Sequence, residues 1–156
     1  MTCAEGTVEV KGHWMFDGRK SFNPKRKIAV SPDARELALW MKSARYGGNP
    51  EHKRNPGDFS LTPPSNPRAD KTLCDAAGIF SRHVALKLLL AGIERGLVSL
   101  QLRKGYPQNI WSVTDDGIPL EAQLENSDGE TATYHGYPMA DSDPFRDVIV
   151  QRWNSA

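Results

Sequence analysis

The chain has 156 residues, the usual size of one domain and enough to bury a core without staples. Its two cysteines, Cys3 and Cys74, exclude a disulfide framework, and no membrane span or secretory leader is legible, so a cytoplasmic protein is expected. Net charge is +1, but Lys and Arg outnumber Asp and Glu by 11 to 6 in residues 1–54 and by 7 to 4 in 55–105, and are outnumbered 2 to 9 in 106–156.

Residues 1–30 mix glycine, lysine and aromatics. Val8 and Val10, then Trp14 and Phe16, alternate as in short strands, and the basic cluster Lys25-Arg26-Lys27 follows, so this segment reads as an edge hairpin or an arm. Residues 31–156 read as a single α+β domain. Ser31, Pro32 and Asp33 open a helix over 32–46, because Ser caps, Pro fits the first turn and Asp suits the positive helix end. Leu37, Trp40, Met41 and Ala44 give it an apolar face, and Gly47-Gly48 stops it. Five prolines between Asn49 and Ala69 predict a long loop without regular structure, of the kind that is often functional or disordered.

A short helix Lys71–Ala77 is expected next, with a break at Gly78. Ser81 then caps a longer helix to Arg95, whose Val84, Leu86, Leu88, Leu89, Leu90 and Ile93 surround it and mark it as the central core element. Strands follow at Leu97–Arg103, Asn109–Asp115, Ile118–Glu125 and Thr131–Met139. Asp116-Gly117 reads as a two-residue hairpin turn and 126–130 as a five-residue loop. Asp143-Pro144 opens a last helix with the stripe Phe145, Val148, Ile149 and Trp153. The expected fold is thus N-terminal helices, a four-stranded antiparallel meander and a C-terminal helix.

Turn lengths fix register, and register fixes faces. With Asp115 paired to Ile118, Trp111 opposes Ala122 and Val113 opposes Leu120 on an apolar face. With Glu125 paired to Thr131, Glu121 lies opposite His135; with Arg103 paired to Ile110, Gln101 and Ser112 join them. The polar face therefore reads Gln101, Ser112, Glu121 and His135, ringed by Arg103, Gln123, Thr133 and Tyr137.

Such a face meets the needs of RNA cleavage through the 2′-hydroxyl without metal or cofactor. Glu121 takes the 2′-OH proton, His135 protonates the departing oxygen, Arg103 stabilises the phosphorane, and Tyr134 or Tyr137 stacks on a base. The order of helices followed by an antiparallel sheet carrying the site resembles the barnase and RelE-like superfamily of microbial ribonucleases and toxins. The resemblance covers residues 31–139 in element order, with no family motif. It implies a metal-independent endoribonuclease, or a toxin-like hydrolase, with a protein inhibitor or antitoxin as partner. The plainer reading of the same row is a solvated sheet face. The charge gradient fits an anionic partner for the basic part, RNA before DNA, and equally fits two halves of one fold attracting each other.

The loop offers a second candidate site. There His52, Lys53 and Arg54 are placed to bind phosphate, with Asp58 orienting His52; otherwise they are solvated loop residues. His13 and His83 read as structural or exposed.

Residues 70–115 also follow the order of a winged helix, with Ser81, Arg82, His83 and Lys87 toward the DNA major groove and Arg103-Lys104 at the wing tip. Against this, the longer helix has few polar positions. A third reading is a protein-interaction module without catalysis, marked by an exposed apolar patch.

Overall fold

The computed structural model describes residues 26–65 and 71–156. The strand pattern at Val8–Phe16, Cys3, His13 and the last part of the Pro-rich loop lie outside the described residues. Helix α1, Ala34–Ser43, is capped by Asp33, whose side chain accepts from the Arg35 amide, while Ser31 sits in the left-handed region at φ 49°. The helix expected to reach residue 46 stops short. Its last three residues become strand β1, Ala44–Tyr46, parallel to a later strand. The change lets Tyr46 bury its ring edge-on to Phe59 and exchange hydrogen bonds with both Gly136 backbone groups, at 3.0 and 3.2 Å.

The Pro-rich segment is more regular than five prolines suggest. Two 3₁₀ turns, Pro50–His52 and Pro56–Phe59, begin with Pro at the first positions, where no amide is needed, and Asn49 and Asn55 cap them through their side chains. The expected helix Lys71–Ala77 is reduced to one 3₁₀ turn, Cys74–Ala77, so the first helix of a winged-helix unit is missing here.

Helix α2, Arg82–Glu94, is capped by Ser81 as expected and buries Ala85, Leu89, Gly92 and Ile93. It is not buried all round, since Val84 remains 39% exposed. Gly92 is what brings α2 onto the sheet: a Cβ there would run into the Trp111 carbonyl.

The expected meander is corrected in three places. Strands β2, Leu102–Arg103, and β3, Tyr106–Pro107, form a separate hairpin across Lys104-Gly105, both at positive φ as a primed two-residue turn requires. Upstream of β2, the rest of the expected 97–103 strand is reduced to isolated bridges, with Val98 against Ile110 and Ser99 against Ile28. The main sheet is formed by β1 with β4, Asn109–Val113, β5, Pro119–Ser127, and β6, Ala132–Pro138, in the order β1-β6-β5-β4. It is mixed, because β1 runs parallel to β6.

The β4–β5 register differs from expectation by one residue: Trp111 pairs with Glu121, and Ile110 with Ala122. Gly117, at φ 86°, ends a three-residue loop after Asp115-Asp116, closed by the Thr114 amide on the Ile118 carbonyl. A two-residue turn would have kept the expected faces; the slip exchanges them. The β5–β6 register is offset by two, with Gln123 opposite His135 and Glu121 opposite Tyr137, and irregular between Leu124 and Asn126.

Helices cover both faces of the sheet. Ile110, Leu120, Ala122, Leu124 and Tyr134 join α1 and α2 in the larger core. Trp111 and Val113 join Met139 and helix α3, Phe145–Ser155, through Phe145 and Ile149 in a smaller one. Val148, expected in that stripe, is 40% exposed.

Candidate active site

Alternation along β5 and β6 sends Glu121, Gln123, His135 and Tyr137 to one side of the sheet, the side that α3 covers only in part. At the covered end, Glu121 is 1% exposed and accepts five hydrogen bonds. Arg26 Nε and Nη2 donate at 3.0 and 2.9 Å, Asn109 Nδ2 at 3.3 Å, Trp111 Nε1 at 2.9 Å and the Tyr137 hydroxyl at 2.8 Å. Arg26 continues to Asp143 at 2.7 Å. Burial opposes its charge, but Glu121 and Asp143 outweigh that and hold its pKa above the ordinary value. Burial, and then the Glu121 charge, raise Tyr137 in turn. A carboxylate whose lone pairs are so occupied is a structural hub, and it does not meet His135.

Beyond Tyr137 the face opens into a cleft of about 390 Å³, lined by His52, Lys71, Gln123, His135 and Tyr137, with Arg26 and Asp143 on one wall. The His52 ring stacks on Tyr137, with centroids 4.6 Å apart and planes 23° from parallel. Its Nδ1 donates to the Thr72 carbonyl at 2.6 Å, since a carbonyl only accepts, which leaves Nε2 as the basic nitrogen. Burial lowers the His52 pKa, and the charges of Lys71 and His135 add to the effect. Burial also lowers His135, against the charge of Glu125, whose carboxylate lies 3.8 Å from His135 Nδ1. Two imidazoles that the sequence assigned to separate sites thus share one cleft.

Compared with family models, curated proteins and solved structures, the chain matches none.

The other sequence candidates are dispersed. Arg103 donates to the Leu124 and Glu125 carbonyls, at 2.9 and 3.1 Å, far from a clamp on Glu121. Tyr134 faces the larger core, 1% exposed, with its hydroxyl on the Pro107 carbonyl at 2.7 Å, so it cannot stack on a base. Ser112 is buried on that same helix side, beside a small internal cavity of about 30 Å³. Gln101 is exposed, and its carbonyl anchors Gln108 and Ser99 in the connection to β4.

Lys53 is a structural cation: its side chain is 0% exposed and its ammonium meets Asp58 at 3.0 Å and Asp75 at 2.9 Å. Asp58 therefore serves Lys53 rather than His52. Arg54 is exposed, and among the described residues its amide alone is engaged, donating to Asp75 at 2.7 Å. Gly136, between His135 and Tyr137, marks a close approach of strands, because a Cβ would press on β5 at Glu121 and Ala122.

Arg26 and Lys71 were missed as site residues. The first lies in the basic cluster 25–27, the second at the head of the expected helix Lys71–Ala77, and neither carries a local signature of its place in the cleft. Among the described residues no three His, Cys, Asp or Glu converge on a possible metal position, and no helix is long and apolar enough to cross a membrane.

Proposed function

We propose that this protein cleaves single-stranded RNA by metal-independent transphosphorylation, with His52 as general base and His135 as general acid. The observation that carries the reading is the shared cleft in which two imidazoles of lowered pKa stand with Lys71 and the Tyr137 ring. His52 is the neutral partner, because burial and then the nearby charges of Lys71 and His135 disfavour a second proton, against the hydrogen bond of its Nδ1–H to Thr72. His135 is the one with an adjacent carboxylate to support a charged ring.

In this scheme His52 Nε2 takes the 2′-hydroxyl proton as the 2′-oxygen bonds to phosphorus. The bond from phosphorus to the 5′-oxygen breaks, and His135 gives that oxygen its proton. The products are a 2′,3′-cyclic phosphate and a 5′-hydroxyl. Lys71 stabilises the phosphorane charge, and Tyr137 holds His52 in orientation, itself fixed by Glu121 and Gln123. Both proton transfers are supplied by side chains, so a bound metal has no role in the scheme.

Purified protein incubated with RNA and a chelator provides the test. Cleavage should yield cyclic-phosphate ends, fall about 10²–10⁴-fold in His52→Ala and in His135→Ala, and spare DNA, which lacks the 2′-hydroxyl. Absent cleavage, or cleavage undiminished in either variant, sinks the assignment.

A further inference from the structure

Next to the cleft, past Glu125, a second hollow of about 560 Å³ is lined by Arg45, Gly47, Gly48, Arg82, His83 and Glu125 among others. Arg45 pairs with Thr133 in the parallel ladder, on the solvent side of β1 and on the same side of β6 as His135. Thr133 lies two positions from His135, or about 7 Å along the strand. Arg45 and Thr133 thus adjoin the face of the cleft, while Arg82 enters from α2 on the other face, so the second hollow lies at the β1 edge of the sheet beside the first.

The Arg45 guanidinium is held but not used up. Nη1 donates to the Lys42 and Ala44 carbonyls, at 3.1 and 2.9 Å, and its other N–H groups have no partner among the described residues. Arg82 is anchored in the same way, through Nη2 on the Phe59 carbonyl. Glu125 lines the hollow at its border with the cleft, its Oε1 3.8 Å from His135 Nδ1 and 3.5 Å from where a Cβ on Gly47 would stand. At the base of the hollow Gly47 has no Cβ, which would otherwise press on Thr133 at 3.0 Å, and Gly48 sits at φ 88°. Two anchored guanidinium groups against the single carboxylate of Glu125 leave the hollow with a cationic excess, which suits an exposed anion such as a backbone phosphate.

We infer that this hollow is a second phosphate subsite, which takes the backbone phosphate adjacent to the scissile one in a single-stranded RNA. The inference rests on the ribonuclease reading above for the identity of the strand. It also gives a place to the charge gradient, because the lysine and arginines that line the two hollows, Arg26, Arg45, Lys71 and Arg82, all come from the first 105 residues.

The experiment measures binding of a short 2′-O-methyl single-stranded RNA, which has no free 2′-hydroxyl and cannot be cleaved, by fluorescence anisotropy over a range of salt. One neutralised phosphate contributes about 0.7 to the slope of log affinity against log salt on a single strand. Arg45→Ala and Arg82→Ala should each weaken binding and lower the slope by about 0.7, and the double variant should lower it no further. Arg35→Ala, on the exposed start of α1, is the control and should keep the slope. An unchanged slope in both single variants overturns the subsite. Cleavage of unmodified RNA, followed in parallel, reports separately on the chemistry. Binding with the expected slopes but no cleavage keeps the subsite and discards the nuclease, whereas cleavage with unchanged slopes does the reverse.

Discussion

Glu121 gives its carboxylate to the hydroxyl of Tyr137, 2.8 Å away, and not to the imidazole of His135. The offset of two residues between β5 and β6 decides this, and it leaves the carboxylate sealed while the part-buried His135 lines a cleft with the buried His52, whose ring stacks on Tyr137.

Removing the Glu121 carboxylate should therefore cost stability before it costs chemistry. In Glu121→Ala the Arg26 guanidinium, the Trp111 indole N–H and the Tyr137 hydroxyl lose a common acceptor. Breaking a buried ion pair from one side costs about 3–5 kcal/mol, and urea denaturation should show a loss of that order. Glu121→Gln keeps the shape and should lose less. A loss below about 1 kcal/mol for the alanine variant would contradict a hub role.

Lys53 and Arg54 are neighbours with opposite expectations. Lys53→Ala strands Asp58 and Asp75 beside an emptied cation site, and a loss of about 3–5 kcal/mol is expected. Arg54→Ala removes an exposed side chain, and the change should stay within about 0.5 kcal/mol. Similar melting curves for the two variants would show that Lys53 is not structural.

At Gly92 the helix rule and the packing rule disagree. Alanine is favoured over glycine inside a helix by about 1 kcal/mol, but here its Cβ meets the Trp111 carbonyl, which is sheet backbone and cannot swing aside. Gly92→Ala should be destabilised by about 1–3 kcal/mol, as overpacked cores are, in a chemical denaturation series. A stabilised variant would mean that α2 sits further from β4.

Both cleft histidines have pKa values below the ordinary one in the folded chain, so the unfolded chain binds their protons more readily. Their contribution to stability is present above the unfolded value of about 6.5 and is lost as pH falls through the folded values. Stability should thus decline from neutral toward acid pH, and His52→Gln with His135→Gln should flatten that decline. The cleavage optimum should lie on the acid side of neutrality, where His135 gains its proton. NMR titration separates the neighbours: Glu125→Gln should lower the His135 pKa further, while Lys71→Ala should raise both imidazoles. Unmoved titrations in the Lys71 variant would place that ammonium outside the cleft.

Local pattern alone was enough to place Ser81 at the start of α2, to put β5, β6 and the final helix near their observed bounds, and to send Glu121, Gln123, His135 and Tyr137 to one face, because alternation and capping act within a few residues. Register was not legible. A turn of three residues at 115–117 in place of two moved Trp111 to the other face, and no nearby residue reports that choice. The meeting of His52 with His135 was further out of reach, since a loop and a strand 83 positions apart are brought together by the packing of the Pro-rich turns against β6. Burial, likewise, is a property of the assembled chain: Lys53 and Arg54 are alike in sequence, and only the tertiary fold wraps one in carboxylates and leaves the other in water.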